Sequence, residues 1–273
     1  MKKSKWLMAL GLTSALFLAA CSSDDKETTE SGEQNKLEQV QDAGKIVVGI
    51  MGTYAPYNYL GEDGEYTGYD VEIASEVAER LDVEAEFVAQ EFSGLIPSLQ
   101  QGKYDMLVSQ VTITEERQQV LDFSNPYITN NVKVIVQEAN TDILSVEDFP
   151  GRKIGVGLGT NDETYLRNTL MPEVGDFKIN TYDDVITTLA DLDAGRIDAT
   201  INNEYALKPV VEKNGYKIKS VGEPIKSDKA GIAVAKGETE FVEAINVALD
   251  EMKEDGTYAE IFEKWFGEAP PAE

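Results

Sequence analysis

Arg117 is the residue whose setting most constrains its chemistry. It follows Thr114-Glu115-Glu116, a threonine of N-cap type with two acidic residues behind it, so the spacing predicts a short helix that opens after Thr114. Arg117 then lies in the first turn, where the macrodipole least favours a cation. A guanidinium fixed there needs an anion, and Glu116 or Asp122 can supply one. On spacing alone, a solvated arginine on a helix surface is the commoner reading. A second anion-handling stretch is Gly157-Leu158-Gly159-Thr160-Asn161-Asp162-Glu163. A strand, a glycine-rich turn and a helix N-terminus in that order present a cradle of backbone N–H groups. Phosphate is an alternative anion for it, yet neither the P-loop Gly-Lys-Ser/Thr nor the dinucleotide spacing is present.

Composition removes several other chemistries. The chain has no histidine, which excludes Ser-His-Asp triads, Cys-His dyads and histidine-ligated zinc. Cys21 is its only cysteine, so no disulfide staples the fold. The 24 basic residues against 50 acidic ones, net −26, argue against nucleic acid and against docking to anionic headgroups. No Asp-rich loop has calcium-ligand spacing, and no cofactor is implied.

Strand and helix signals alternate along the chain, which points to an α/β class. Lys45 to Ile50 reads as a buried strand, Gly61 to Gly68 as a hairpin turn, and Asp70 to Leu81 as a helix with Val71, Ala74, Val77, Ala78 and Leu81 on its apolar face. Asp70 reads as an N-cap. Val83 to Ala89 is a strand. Leu95, Ile96 and Leu99 mark a helix that Gly102 stops, and Tyr104 to Val108 a short apolar strand. Strands at Val132 to Val136 and Lys153 to Val156 follow, with a helix through Leu170. The pattern then gives a helix over Asp183 to Ala194, a strand over Asp198 to Ile201, a helix over Glu204 to Lys213, strands at Tyr216 to Val221 and Gly231 to Ala235, and helices over Glu238 to Glu254 and Thr257 to Phe266.

The N-terminus has its own logic. Lys2, Lys3 and Lys5 precede an apolar run from Trp6 to Ala20, which ends in Leu18-Ala19-Ala20-Cys21. That is a lipoprotein signal peptide over residues 1–20, with Cys21 as the acylated residue. Residues 21–36 are too poor in apolar groups to offset their ordering entropy and read as a flexible tether.

These motifs, in their order, resemble the bacterial extracellular solute-binding proteins of family 3, the polar amino acid receptors of ABC importers. The resemblance rests on Thr112-x-Thr114-x-x-Arg117, Asp122-Phe123-Ser124-Asn125-Pro126-Tyr127, Gly68-Tyr69-Asp70-Val71, and the closing Asp255-Gly256-Thr257-Tyr258 and Trp265-Phe266-Gly267. It implies a two-lobe, periplasmic-binding-protein-like (Venus flytrap) fold with two hinge crossings. Lobe 1 would comprise 37–129 and 228–268, and lobe 2 residues 130–227. It implies that Arg117 clamps a ligand α-carboxylate with help from the Thr160 and Asn161 amides, that Tyr54 stacks on the ligand side chain, and that Phe92 forms a second aromatic wall. Met51, Gln110 and Thr112 would complete the pocket. An aspartate is usual at the position of Asn203, where it receives the ligand ammonium, and this chain departs from that pattern; either Glu204 or another carboxylate compensates, or the ligand is not an ordinary α-amino acid.

The implied protein is a monomeric amino acid receptor, lipid-anchored at the extracellular face of the cell membrane and partnered by a permease and an ATPase. Gly-Thr-Tyr-Ala-Pro and Gln-Val-Thr-Ile-Thr resemble the cystine-binding branch, and the lack of a carboxylate near Met51 argues against a basic ligand. The alternatives are a dehydratase-like enzyme on the same scaffold, with Glu204 as its nameable acid or base, and an amino acid-sensing surface lipoprotein.

Overall fold

A computed structural model describes residues 34–271. The expected signal peptide, Cys21 and most of the expected tether therefore lie outside the described residues. The end of that tether is ordered instead: α1 (Lys36–Ala43) begins at Lys36, capped by the Asn35 side chain, which accepts from Glu38 N at 2.9 Å. Lys36 pairs with Asp105 at 3.2 Å. Capping and this ion pair hold a segment whose composition alone reads as unstructured.

The chain then runs through β1 (Lys45–Ile50), the small meander β2 (Thr53–Tyr54), β3 (Asn58–Leu60) and β4 (Tyr66–Thr67), and on to α2 (Tyr69–Arg80), β5 (Glu84–Ala89), α3 (Phe92–Gln100) and β6 (Met106–Leu107). A single turn, α4 (Glu115–Gln118), leads into the long strand β7 (Leu121–Gln137). The second lobe adds β8 (Lys153–Gly157), α5 (Asn161–Tyr165), α6 (Met171–Val174), β9 (Lys178–Tyr182), α7 (Val185–Asp193), β10 (Ala199–Asn203) and α8 (Glu204–Asn214). The chain returns along β11 (Ile218–Ala235) and closes with α9 (Thr239–Asp255) and α10 (Thr257–Phe266).

Eight of the strands form one ladder in the order β5-β1-β6-β11-β7-β10-β8-β9, and β2-β3-β4 form a separate sheet. β1 lies parallel between β5 and β6, and β8 parallel between β10 and β9. The antiparallel pair β7 and β11 runs from one lobe to the other, with Leu121 opposite Ala235 at one end and Gln137 opposite Ile218 at the other. This corrects the reading of separate strands around 132–136, 216–221 and 231–235. The proline and glycine punctuation that suggested breaks is absorbed as register shifts between Val221 and Lys226 and around Gly231, which bend a strand without ending it.

Side-chain alternation divides the core. On β1, Ile46, Val48 and Ile50 join one cluster with α2, α9 and α10, while Val47 faces a second cluster with Leu95, Leu99 and Leu107. On β7, Val132, Val134 and Val136 pack with Ile154 and Phe149, and Ile135 packs oppositely with Leu189 and Leu192. Both faces of each half of the ladder are thus covered, as parallel sheets require. Tyr205 and Ala206 at the start of α8 join the first-lobe cluster, and Tyr205 lies 4.5 Å from the Phe266 ring.

Gly68 sits where the meander meets α2. Its φ is +131°, and a Cβ there would lie 2.2 Å from the Tyr57 carbonyl oxygen. Gly68→Ala is therefore expected to destabilise by about 3 kcal/mol or more, at the upper end of single substitutions. A urea midpoint unchanged from that of the parent protein would refute this.

Candidate functional site

The cleft between the lobes holds a narrow cavity of about 70 Å³, within about 630 Å³ of empty space counted out to its mouth. Its walls gather eight of the nine expected pocket residues: Met51, Tyr54, Phe92, Gln110, Thr112, Thr160, Asn161 and Asn203. They come from the ends of β1 and β6, from β2, the start of α3, the N-terminus of α5 and the end of β10. Open α/β sheets place ligands at such carboxyl ends of strands.

Arg117 stands just behind this wall. The Thr114 cap forms as expected, accepting from Arg117 N at 3.2 Å, and it turns the side chain inward. The residue is 9% exposed, its guanidinium is 5.5 Å from the centroid of the Phe92 ring, and Nη1 donates to the Thr112 carbonyl at 3.0 Å. Neither expected counter-ion makes an ion pair with it: Asp122 is taken by Lys236 at 2.7 Å, and Glu116 acts only through its field. Burial pulls the guanidinium below its ordinary pKa, partly offset by the fields of Asp162, Glu116 and Asp228. A desolvated cation with a neutral carbonyl as its hydrogen-bond partner is an incomplete electrostatic unit, suited to a carboxylate fork.

Other expected residues are placed with their side chains already engaged. Gln110, at φ +52°, donates Nε2 to Asp70 Oδ1 at 2.5 Å and accepts from Asn130 Nδ2 at 2.7 Å. Its amide is committed to the layer beneath the cavity and is not a free hydrogen-bonding group as expected. Asp70 is no N-cap. The helix starts one residue earlier, after Gly68, with no side-chain cap, and Asp70 is fully buried, accepting from Asn58 Nδ2 at 2.7 Å, Tyr127 Oη at 2.9 Å and Gln110. Burial pushes its carboxyl up to about 7, against the pull of these donors. Ser109 joins the same layer and accepts from Met51 N at 2.9 Å.

On the opposite wall, Thr160 caps α5 and accepts from Glu163 N at 3.2 Å. Its own amide is turned to the Gly157 carbonyl at 3.4 Å. Side chains bond across the cleft. Thr112 Oγ1 donates to Asn161 Oδ1 at 3.1 Å, and Tyr54 Oη donates to Asn202 Oδ1 at 2.6 Å. Asn203 borders the cavity and donates its backbone N–H to the Asn202 side chain. Glu204, the acid or base named for an enzyme, does not border the cavity: it is partly exposed and pairs with Lys133 at 2.8 Å.

Sequence reasoning passed over Asn202, Asp162 and Asp228, all of which border the cavity. Lys226 pairs with Asp162 at 2.7 Å and also with Asp228, which accepts from Asn161 Nδ2 at 2.7 Å. Asp162 was visible only as a first-turn acid of α5, and nothing local to 226–228 marks a cleft. Among the described residues no His, Cys, Asp and Glu cluster could hold a metal ion, and no helix is long and apolar enough to cross a membrane.

Known proteins resemble this chain in sequence and in fold. The chain is 37% identical to the L-cystine-binding protein TcyJ of Escherichia coli (strain K12) over 236 residues, 86% of this chain and 87% of that protein. An ancestral arginine-binding protein bound to arginine superposes with a TM-score of 0.78 at 39% identity, covering 82% of this chain and 99% of that one. An ancestral amino acid-binding protein described as a precursor of cyclohexadienyl dehydratase gives 0.77 at 33% identity, covering 84% and 99%. Residues 46–268 match the description "Bacterial extracellular solute-binding proteins, family 3". With two α/β lobes, a shared pair of crossing strands and a buried arginine at the cleft, the chain belongs to this family of solute-binding proteins.

Proposed function

We propose that the chain is the amino acid receptor of an ABC importer and captures a polar or neutral amino acid, with cystine the first choice, in the interlobe cleft. The observation that carries this reading is Arg117, buried beside the cavity with its guanidinium hydrogen-bonded to a carbonyl and awaiting an anion. Tyr54 and Phe92 supply apolar walls, and Thr112, Thr160, Asn161 and Asn203 supply uncharged polar groups. Relatives named for L-cystine and for arginine support an amino acid as cargo. Because groups from both lobes would touch the ligand, it binds the closed form better and shifts the hinge equilibrium towards closure, which a permease can read as occupancy.

Lobe 1 is assigned to 37–129 and 228–268 and lobe 2 to 130–227, a division supported by the separate apolar clusters of the two halves, with the start of α8 packed across it. Acylation at Cys21 would hold this monomeric receptor at the extracellular face of the cell membrane. A dehydratase-like reading has a structural relative in its favour, but Glu204 points elsewhere, and of the carboxylates that border the cavity Asp162 and Asp228 are tied to Lys226 and Asn161 and Asp184 caps α7.

The test is thermal denaturation of the purified chain with each standard amino acid and with L-cystine. A true ligand at a hundred times its dissociation constant should add about 2.7 kcal/mol, a rise of a few degrees. Silence from every amino acid would overturn the receptor reading.

A further inference from the structure

We propose that Asp162 and Asp228 form the ammonium seat of the cleft in place of Asn203, and that Lys226 is a tethered competitor that occupies this seat until a ligand ammonium displaces it. The proposal rests on the reading of the cleft as an amino acid site, and it names the half of that site which the receptor reading leaves open. A zwitterion brings one carboxylate and one ammonium. Arg117 answers the first. For the second, Asn202 and Asn203 offer only neutral amide oxygens, which give an ammonium no compensating charge.

The carboxylates at the cavity wall are Asp162, Asp183, Asp184 and Asp228. Asp184 is spent as the cap of α7, accepting from Thr187 N and Oγ1 at 2.6 and 2.7 Å, and Asp183 is exposed to solvent. Asp162 and Asp228 are different. Their side chains are 17% and 16% exposed, and both act on Arg117 through their field. They are therefore held at the reach of a ligand whose carboxylate sits on that arginine.

An ammonium already rests between them. Lys226 Nζ is 2.7 Å from Asp162 and hydrogen-bonded to Asp228. It reaches in from β11, immediately after the register shift between Val221 and Lys226, and does not itself border the cavity. Arg117 and Lys226 against Asp162 and Asp228 make two charges of each sign, so these four groups balance before a neutral zwitterion enters. When the ligand ammonium takes the seat, the lysine must swing away, and the fraction of time it spends seated lowers the affinity by that fraction. The hydrogen bond from Asn161 to Asp228, itself linked to Thr112 across the cleft, ties an occupied seat to the closed form.

The experiment is calorimetric titration of the full chain and its variants with L-cystine, with any standard amino acid that binds the parent protein, and with 3,3′-dithiodipropionate, which has cystine's carboxylates and no ammonium. Lys226→Met is expected to tighten amino acid binding by about tenfold, as removal of a competitor seated nine-tenths of the time would. Asp162→Asn and Asp228→Asn are each expected to weaken it by roughly 30-fold or more, the range for losing one partner of a desolvated charge pair. In the Asp162→Asn/Asp228→Asn background the gain from Lys226→Met should vanish. Dithiodipropionate should show neither the gain nor the losses, a pattern that a merely structural ion pair would not produce. If Lys226→Met folds poorly with two carboxylates left bare, Lys226→Met/Asp228→Asn restores the balance and should still bind more tightly than Asp228→Asn alone. Weaker amino acid binding by Lys226→Met, or unchanged binding by both aspartate variants, overturns the seat while leaving the receptor reading intact. A parent protein that binds no amino acid overturns both.

Discussion

Replacing Arg117 by alanine is expected to abolish amino acid binding, with a loss of a hundredfold or more, while the fold remains. The guanidinium is desolvated, stacked on Phe92 and held in aim by the Thr112 carbonyl. A ligand carboxylate placed there gains two parallel charge-assisted bonds and neutralises a buried cation, and truncating one side of such a pair costs about 2–5 kcal/mol. Arg117→Lys should recover little of this, because an ammonium lacks the planar fork and its stacking face. Stability of the ligand-free protein should stay the same or rise slightly, since a buried cation without a contact ion costs folding free energy. Calorimetry with L-cystine and with each amino acid that stabilises the parent protein, alongside urea denaturation, separates the two effects. Binding within threefold of the parent by Arg117→Ala would remove the residue from the site.

Asp70 carries the largest expected effect on stability. Its oxygens accept from Asn58, Gln110 and Tyr127 in a place without solvent. Asp70→Ala leaves these buried donors without their acceptor, which should cost about 3 kcal/mol or more in the urea midpoint. It should also weaken ligand binding, because Gln110 borders the cavity. The pH dependence has a definite sign. The carboxyl is raised from 3.8 to about 7 by burial, so between those values the folded state holds a proton that the unfolded chain has released. The stabilising contribution is complete below about 3.8 and declines as pH rises to about 7, by roughly 4 kcal/mol in all at 1.36 kcal/mol per unit. Carboxylates held below their usual range, such as Asp122 and Asp255, act in the opposite sense but at lower pH. Urea midpoints between pH 4 and pH 8 should therefore fall with pH in the parent protein and fall less in Asp70→Asn. Parallel slopes would show that Asp70 is ionised throughout.

Local rules made most of the scaffold legible. The closing helix Thr257–Phe266 and the first strand Lys45–Ile50 have the bounds that capping and β-branched composition suggest. The N-cap at Thr114 was readable from residue type. What failed depended on distant partners. Asp70 looks like a cap because aspartate before an apolar helix usually is one, yet Gly68 starts the helix a residue early and turns Asp70 towards Asn58, Gln110 and Tyr127. The long crossing strands look interrupted in sequence because they carry prolines and glycines that a paired partner tolerates as bulges. β9 (Lys178–Tyr182) was missed because an edge strand with little buried surface carries no hydrophobic run. In the cleft, aromatic and hydroxyl residues were found through a motif, whereas Lys226, Asp162 and Asp228 meet only in three dimensions.

The way β11 threads between β6 and β7 also dictates the order in which the molecule can be assembled. The apolar cluster around Val132, Ile154 and Ile201 draws on a continuous stretch of chain and can close as soon as that stretch is available. The cluster around Ile46, Val48 and Val77 cannot, because Phe241, Ile245, Leu249 and Phe262 are among its buried members and Ala233 must pair with Leu107. The first half of the sequence thus stays without its core until nearly the last residues have been made, and its closure depends on contacts between the two ends of the chain, the slow kind to form. A chain of this topology remains extensible through most of its synthesis, the condition under which it can be passed across a membrane as a thread and folded on the far side.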